Sequence, residues 1–167
     1  MVLCFTQMKI TIRKIKPSDI NWIKKIFIDY WNGDFVVSKG KIHKPEELEG
    51  FIAEINNKKV GLVTFKLVRG KIEIVTLNSF LKRKGIGNSL LEKVIKLAKI
   101  KKVKIIWLIT TNDNLNALKF WQKRGFNIVK IYPNAIKISR KIKPQIPLIG
   151  QNGIPLKDEI ELEIKIN

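Results

Sequence analysis

The chain has one cysteine, Cys4, and one histidine, His43, in 167 residues. That inventory supplies no disulfide framework and no zinc cluster, and it all but removes a His-dependent catalytic triad. His43, beside Lys44-Pro45, is expected in a loop. Acidic residues are scarce as well, 14 Asp and Glu against 33 Lys and Arg, for a formal net charge of +19. No apolar run approaches the roughly 20 residues of a membrane-spanning helix, and residues 1–7 are too short for a signal peptide. A cytoplasmic protein with no membrane partner is therefore expected.

A charge of this size raises nucleic acid or another polyanion as a partner. Arginine, preferred where phosphate or base edges are gripped bidentately, supplies only Arg13, Arg69, Arg83, Arg124 and Arg140. The lysines are scattered along almost every segment, which suits a solvated surface better than a nucleic-acid footprint. Nucleic acid is kept as a partner that is open but not favoured. At long range the charge repels polyamines and favours acidic acceptors.

The length is that of one domain able to bury a core without staples. Residues 1–8 read as a disordered extension or the result of an upstream start, and 9–167 as a single domain. Residues 9–15 alternate as a strand. Pro17-Ser18-Asp19 then opens a helix over 20–30 whose Trp22, Ile23, Ile26, Phe27 and Tyr30 share a face. Residues 31–44 show no period and read as a loop, with at most a short helix near 45–48. Strand-like runs over 51–55, 60–68 and 72–77 are separated by turn signals and predict an antiparallel meander.

Between the apolar run 72–77 and an amphipathic run 88–100 lies Lys82-Arg83-Lys84-Gly85-Ile86-Gly87. Strand, basic glycine-bearing turn and helix start can gather backbone N–H groups and a positive helix end in one concavity, a phosphate site. The spacing excludes a dinucleotide fingerprint, which needs glycine at Leu90, and a P-loop, since Asn88-Ser89 follow Gly87. A plain tight turn before a helix is the competing reading. A strand over 103–110, a helix over 115–124, a strand over 128–132 and a short basic helix over 135–142 follow. Residues 144–156 carry three prolines and an Asn152-Gly153 turn, and 159–166 alternate at period two as a half-buried strand.

The pattern Lys82-x-x-Gly85-x-Gly87, followed by Asn114-x-x-Ala117-x-x-Phe120-Trp121-x-x-x-Gly125-Phe126, resembles the GNAT superfamily of N-acetyltransferases over roughly residues 9–143. The resemblance implies an α+β (mixed α/β) fold, a twisted mixed sheet of about six to seven strands flanked by helices. A V-shaped cofactor cleft would open between its two central strands. It also implies acetyl-CoA-dependent transfer of an acetyl group to a primary amine by direct attack, with coenzyme A as product. The acceptor would be a small-molecule or protein amine. A catalytically weak or inactive CoA-binding or RNA-binding protein on the same scaffold is the alternative, since fold does not certify activity.

By the same resemblance the backbone of Arg83, Lys84, Gly85, Ile86, Gly87 and Asn88 would hold the pyrophosphate, with Lys82, Arg83 and Lys84 adding charge. The pantetheine arm would run along Leu77, Asn78 and Ser79. The N–H of Leu77 would face the thioester oxygen, where a preorganised donor gains value as charge develops. Asn114, Ala117, Phe120 and Trp121 would line the far wall, Asn114 either bonding the pantetheine or capping its helix. Glu73 stands where many members carry a general base. The competing reading makes it the solvent-facing partner in Ile72-Glu73-Ile74. The tyrosine many members use as general acid is here Trp121, so either coenzyme A leaves as the thiolate or a water or another residue serves, with Tyr132 one candidate and core or cleft-wall roles for it and Tyr30 as the plainer reading. The chain is expected to be a monomer or homodimer, the apolar face of the terminal strand being available to pair across a two-fold axis.

Overall fold

Three two-residue turns organise the first half of the chain. Lys39-Gly40, Asn56-Asn57 and Arg69-Gly70 each have positive φ at both positions, the backbone that matches a two-residue hairpin to the twist of its strands. They join β2 (Val36–Ser38) to β3 (Lys41–His43), β4 (Glu49–Ile55) to β5 (Lys58–Val68), and β5 to β6 (Lys71–Ser79). Before them run β1 (Thr11–Lys14) and α1 (Ile20–Trp31); after them come α2 (Ile86–Ile100), β7 (Ile105–Thr111), α3 (Leu115–Lys123), β8 (Asn127–Tyr132), α4 (Ala135–Ile142) and β9 (Glu159–Lys165). These elements come from a computed structural model that describes residues 9–167. The expected N-terminal extension, with Cys4, lies outside the described residues.

Seven strands form one sheet in the order β1-β4-β5-β6-β7-β9-β8, and β2 and β3 form a separate pair. Every pairing in the large sheet is antiparallel except β6 with β7, which the α2 crossover makes parallel. The expected twisted mixed sheet flanked by helices is what the chain forms. On one face Ile86, Leu90, Leu91, Val94 and Ala98 of α2 cover the apolar side chains of β4 to β7 and β9. On the other, Ile23, Ile26 and Phe27 of α1 pack on Ile52 and Leu62.

Four expectations are corrected. Residues 31–44 are not a loop, since they hold the β2–β3 hairpin; Val36-Val37 and Ile42 are too short a pattern to show a period against the charged tip. His43 is not a loop residue: it ends β3 and is 1% exposed, because its ring turns inward onto the large sheet. Tyr30 leaves the apolar face of α1 at 56% exposure, resting against Phe80. The terminal strand offers no edge or free apolar face: β9 is paired by β7 and β8, and its Ile160 and Leu162 lie in the core.

Candidate active site

The sheet parts where β6 and β7, the only parallel pair among the described residues, stop pairing. β6 and β7 are in register at Ile72–Ile106, Glu73–Trp107 and Ile74–Leu108, and no further. Beyond Ile74, β6 stays with β5 and β7 stays with β9. The cause is one extra residue. Thr76 pairs with Thr64 and Ile74 with Phe65, so Val75 is a bulge that turns the end of β6 away. The wedge opens into a cleft of about 590 Å³. Leu77, Asn78, Asn114, Ala117 and Trp121 are among its walls, as are Tyr30, Trp31 and Ser38 from the opposite side.

Ser79 and the turn after it lie at the end of β6, with Lys82, Arg83, Lys84 and Gly85 exposed. Gly85 takes φ +69, with nothing within 4 Å of where a Cβ would stand. The first backbone bond of α2 runs from Ser89 N–H to Gly85 O, and no side chain caps the helix. The N–H groups of Ile86, Gly87 and Asn88 therefore reach past the helix end without intrahelical acceptors. An open positive helix end beside exposed cations and an unhindered glycine fits a pyrophosphate. The Ile86 side chain is buried in the core, so only its backbone is free for this.

The two glycine-motif segments meet here. A Cβ on Gly87 would lie 3.1 Å from the Phe120 ring and 3.9 Å from Leu77 Cδ2. Gly87 thus serves helix packing as well as approach to a ligand. The Arg124 guanidinium stacks 3.6 Å over Phe120 and donates to Asn88 Oδ1 at 3.2 Å. Asn114 Oδ1 accepts from Ala117 N–H at 3.1 Å, the N-cap of α3. Asn78 Oδ1 accepts from Trp31 Nε1 at 3.0 Å, which ties α1 to the cleft wall.

Glu73 faces the side of the sheet opposite α2. At 6% exposure it is not a solvent-facing strand residue. It borders a second, smaller cavity of about 320 Å³ with Lys39, Lys41, Arg69, Lys71 and Trp107. Burial pushes its carboxyl above the usual range, against the pull of Lys41 and Lys66. Ser38 Oγ lies 3.5 Å from Glu73 Oε1 and 3.1 Å from His43 Nε2. Burial, with Lys66 and Lys41 nearby, pushes His43 down to about 4, so its approach to Glu73 at 3.7 Å joins a neutral ring to a carboxylate.

Tyr132 is not brought to the cleft. Its hydroxyl donates to Glu161 Oε2, and Lys39 and Lys130 approach its ring. Sequence reasoning missed three polar groups. Ser38, from the hairpin, reaches both cavities. Glu159, 1% exposed, lines the cleft and accepts from Lys39 N–H and Ser139 Oγ. The buried Lys143 lines it too and donates to the carbonyls of Trp31 and Phe35, burial pulling its ammonium down to about 8. The signal for the hairpin was present in Lys39-Gly40 between β-branched residues. Nothing local marks Glu159 or Lys143.

Residues 18–126 match the family model described as the acetyltransferase (GNAT) family. YxbD of Bacillus subtilis is 39% identical over 147 residues, 87% of this chain and 91% of that protein. Among solved structures, a GNAT family acetyltransferase from Elizabethkingia anophelis with acetyl-CoA bound superposes with a TM-score of 0.67 at 26% identity, covering 93% of this chain and 97% of that one. A Bacillus subtilis acetyltransferase in complex with CoA has a TM-score of 0.69 at 22% identity, covering 95% and 100%.

Proposed function

The chain belongs to the GNAT family of acetyltransferases, whose cofactor is acetyl-CoA, and on that premise we propose that it acetylates a primary amine by direct attack. The observation that carries this reading is the wedge between β6 and β7, with an open helix N-terminus behind one wall and the buried carboxylate of Glu73 on the opposite face. When bound, acetyl-CoA supplies an acetyl group activated as a thioester. The backbone of Arg83 to Asn88 would hold its pyrophosphate, with charge from Lys82, Arg83 and Lys84. Leu77, Asn78 and Ser79 would take the pantetheine arm along β6, opposite Asn114, Ala117 and Trp121. Phe120 supports that wall from behind, through Gly87.

An amine is protonated at neutral pH and must lose a proton before it can act as a nucleophile. Glu73 is the proposed base. Its burial, which disfavours the carboxylate, brings its proton affinity closer to that of the amine. The Leu77 N–H is the proposed donor to the oxygen on which negative charge grows. Tyr132 is assigned no part, because its hydroxyl is engaged with Glu161.

The test combines calorimetric titration with acetyl-CoA and an assay of CoA release with phenethylamine, spermidine, lysine and a short peptide with a free α-amine. Saturable binding and turnover of at least one amine are expected. Glu73→Gln should keep binding while kcat/KM falls on the order of 100-fold and loses its lower pH limb. That limb lies above the range of an ordinary carboxylate, in keeping with the raised pKa. Binding without turnover of any of the four amines, in folded protein, would leave a cofactor-binding protein and remove the enzymatic reading.

A further inference from the structure

Glu73 does not border the cleft that holds Leu77. It borders the smaller cavity, and Ser38 is the one residue that lines both among the described residues. Ser38 is also the residue at hydrogen-bond range of both Glu73 Oε1, at 3.5 Å, and His43 Nε2, at 3.1 Å. The hairpin thus inserts one hydroxyl between the space an amine would enter and the carboxylate proposed to receive its proton.

The direction of this small network follows from His43. Its Nδ1 is buried with no partner among the described residues. A buried N–H left unpaired is rarer and costlier than a bare acceptor, so the proton belongs on Nε2 and Nδ1 carries the lone pair. Nε2–H then donates to Ser38 Oγ. The hydroxyl proton is left to point at Glu73 Oε1, and one Oγ lone pair remains for a proton from the cleft that Ser38 also lines. The 3.5 Å reach to Glu73 is long, as catalytic hydrogen bonds often are before substrate arrives.

We propose that Ser38 is the proton relay between the acceptor ammonium in the cleft and Glu73, with His43 as the positioning residue that sets the direction of its hydroxyl. The inference rests on the acetyltransferase reading above. In the step, the ammonium N–H bond breaks and its electron pair stays on nitrogen. That proton binds Ser38 Oγ as the proton of Ser38 passes to Glu73 Oε1. The amine ends neutral, Glu73 ends as a neutral carboxyl, and the Ser38 hydroxyl is restored. The charged groups facing Glu73 are Lys39 and Lys41 of the hairpin, Lys66 of β5, Arg69 and Lys71 at the β5–β6 turn, and Glu161 of β9. The five cations favour the carboxylate before transfer, and the neutral imidazole adds no charge of its own.

Two readouts test this. His43 is the sole histidine, so long-range proton–nitrogen NMR correlation on labelled, tag-free protein reads its tautomer without assignment. The Nε2–H form is expected at pH 7, and the Nδ1–H form would overturn the relay, because Ser38 would then have to donate to the ring. The second readout is kcat/KM against pH, with acetyl-CoA and the fastest of the four amines, for Ser38→Ala, Ser38→Thr, Glu73→Gln and the Ser38→Ala, Glu73→Gln double variant. Ser38→Ala is expected to lower kcat/KM by about 10- to 100-fold and to lose the same pH limb as Glu73→Gln. Ser38→Thr should restore it to within a few fold, and the double variant should be no slower than the slower single one, since both act on one path. Multiplying losses, or Ser38→Ala with a wild-type pH profile, would overturn the relay and leave the acetyltransferase reading standing. No turnover by the wild type would overturn that reading and take the relay with it.

Discussion

Gly85 offers a test of the phosphate turn with an internal control. Both Gly85, at φ +69, and Gly70, at φ +73, have open space where a Cβ would be. Alanine at either position therefore meets no steric obstacle beyond its own backbone, and the left-handed conformation costs an L-residue roughly 1–2 kcal/mol. The two sites differ in what holds them. Gly70 is clamped by the β5–β6 ladder, paired on one side at Val68–Lys71, so Gly70→Ala should lower unfolding free energy by about 1 kcal/mol once the stiffer unfolded chain is allowed for. Gly85 sits among exposed Lys82, Arg83 and Lys84, so in Gly85→Ala the free turn relaxes and the penalty falls on binding instead. A penalty of about 1–2 kcal/mol corresponds to roughly 5- to 30-fold weaker acetyl-CoA binding, at tenfold per 1.4 kcal/mol. Calorimetric titration of the three proteins, with denaturant melts alongside, reads both quantities. If Gly85→Ala binds acetyl-CoA as tightly as the wild type, or if Gly70→Ala weakens binding equally, the turn is not the pyrophosphate site.

Other perturbations have defined outcomes. Asp19, buried, accepts from Arg13 Nη1 and Nη2 at 2.7 and 3.0 Å and from Lys59 Nζ at 2.8 Å. Asp19→Asn should destabilise by about 2–3 kcal/mol, toward the low end for a buried pair because both cations keep access to water. Arg13 holds the Asp19 carboxyl well below the usual carboxylate range. The stability it contributes is thus whole above about pH 4 and declines as the pH falls, so the gap between wild type and variant in urea melts should narrow in acid. A gap that is constant down to pH 2 would contradict the ion pair. Lys143 has the same sign of pH dependence in a more alkaline window. Its folded pKa of about 8 lies below the unfolded value of about 10.4. Relative to Lys143→Met, the wild type should gain stability as pH rises through that window, where the unfolded lysine still holds a proton and the folded one has released it. A flat difference would mean that the ammonium is not desolvated.

Most elements were legible because their causes are local. The apolar spacing Ile23, Ile26, Phe27 predicts α1, and the turn signals Asn56-Asn57-Lys58 and Arg69-Gly70 predict the meander. The β2–β3 hairpin escaped because three-residue strands have no measurable period, although Lys39-Gly40 carried the turn signal. His43 escaped for a related reason: a histidine beside Lys44-Pro45 looks exposed until the hairpin is laid on the large sheet. Glu73 could be read two ways from its alternating strand, and only the covering hairpin removed the solvent-facing one.

By itself the sequence determined the chemistry of short segments. The glycines at 85 and 87, the lysines and arginine before them and the Asn114 to Phe126 run are close in the chain, so their backbone and charge preferences act without long-range help. The tertiary structure decided everything that depends on strands far apart in the chain. The single bulge at Val75 opens the wedge, the α2 crossover sets Glu73 beside Trp107, and the hairpin carries Ser38 to a carboxylate 35 positions away. The physical reason is that burial and hydrogen-bond geometry belong to pairs of surfaces, and a linear pattern of residue types describes only one surface at a time.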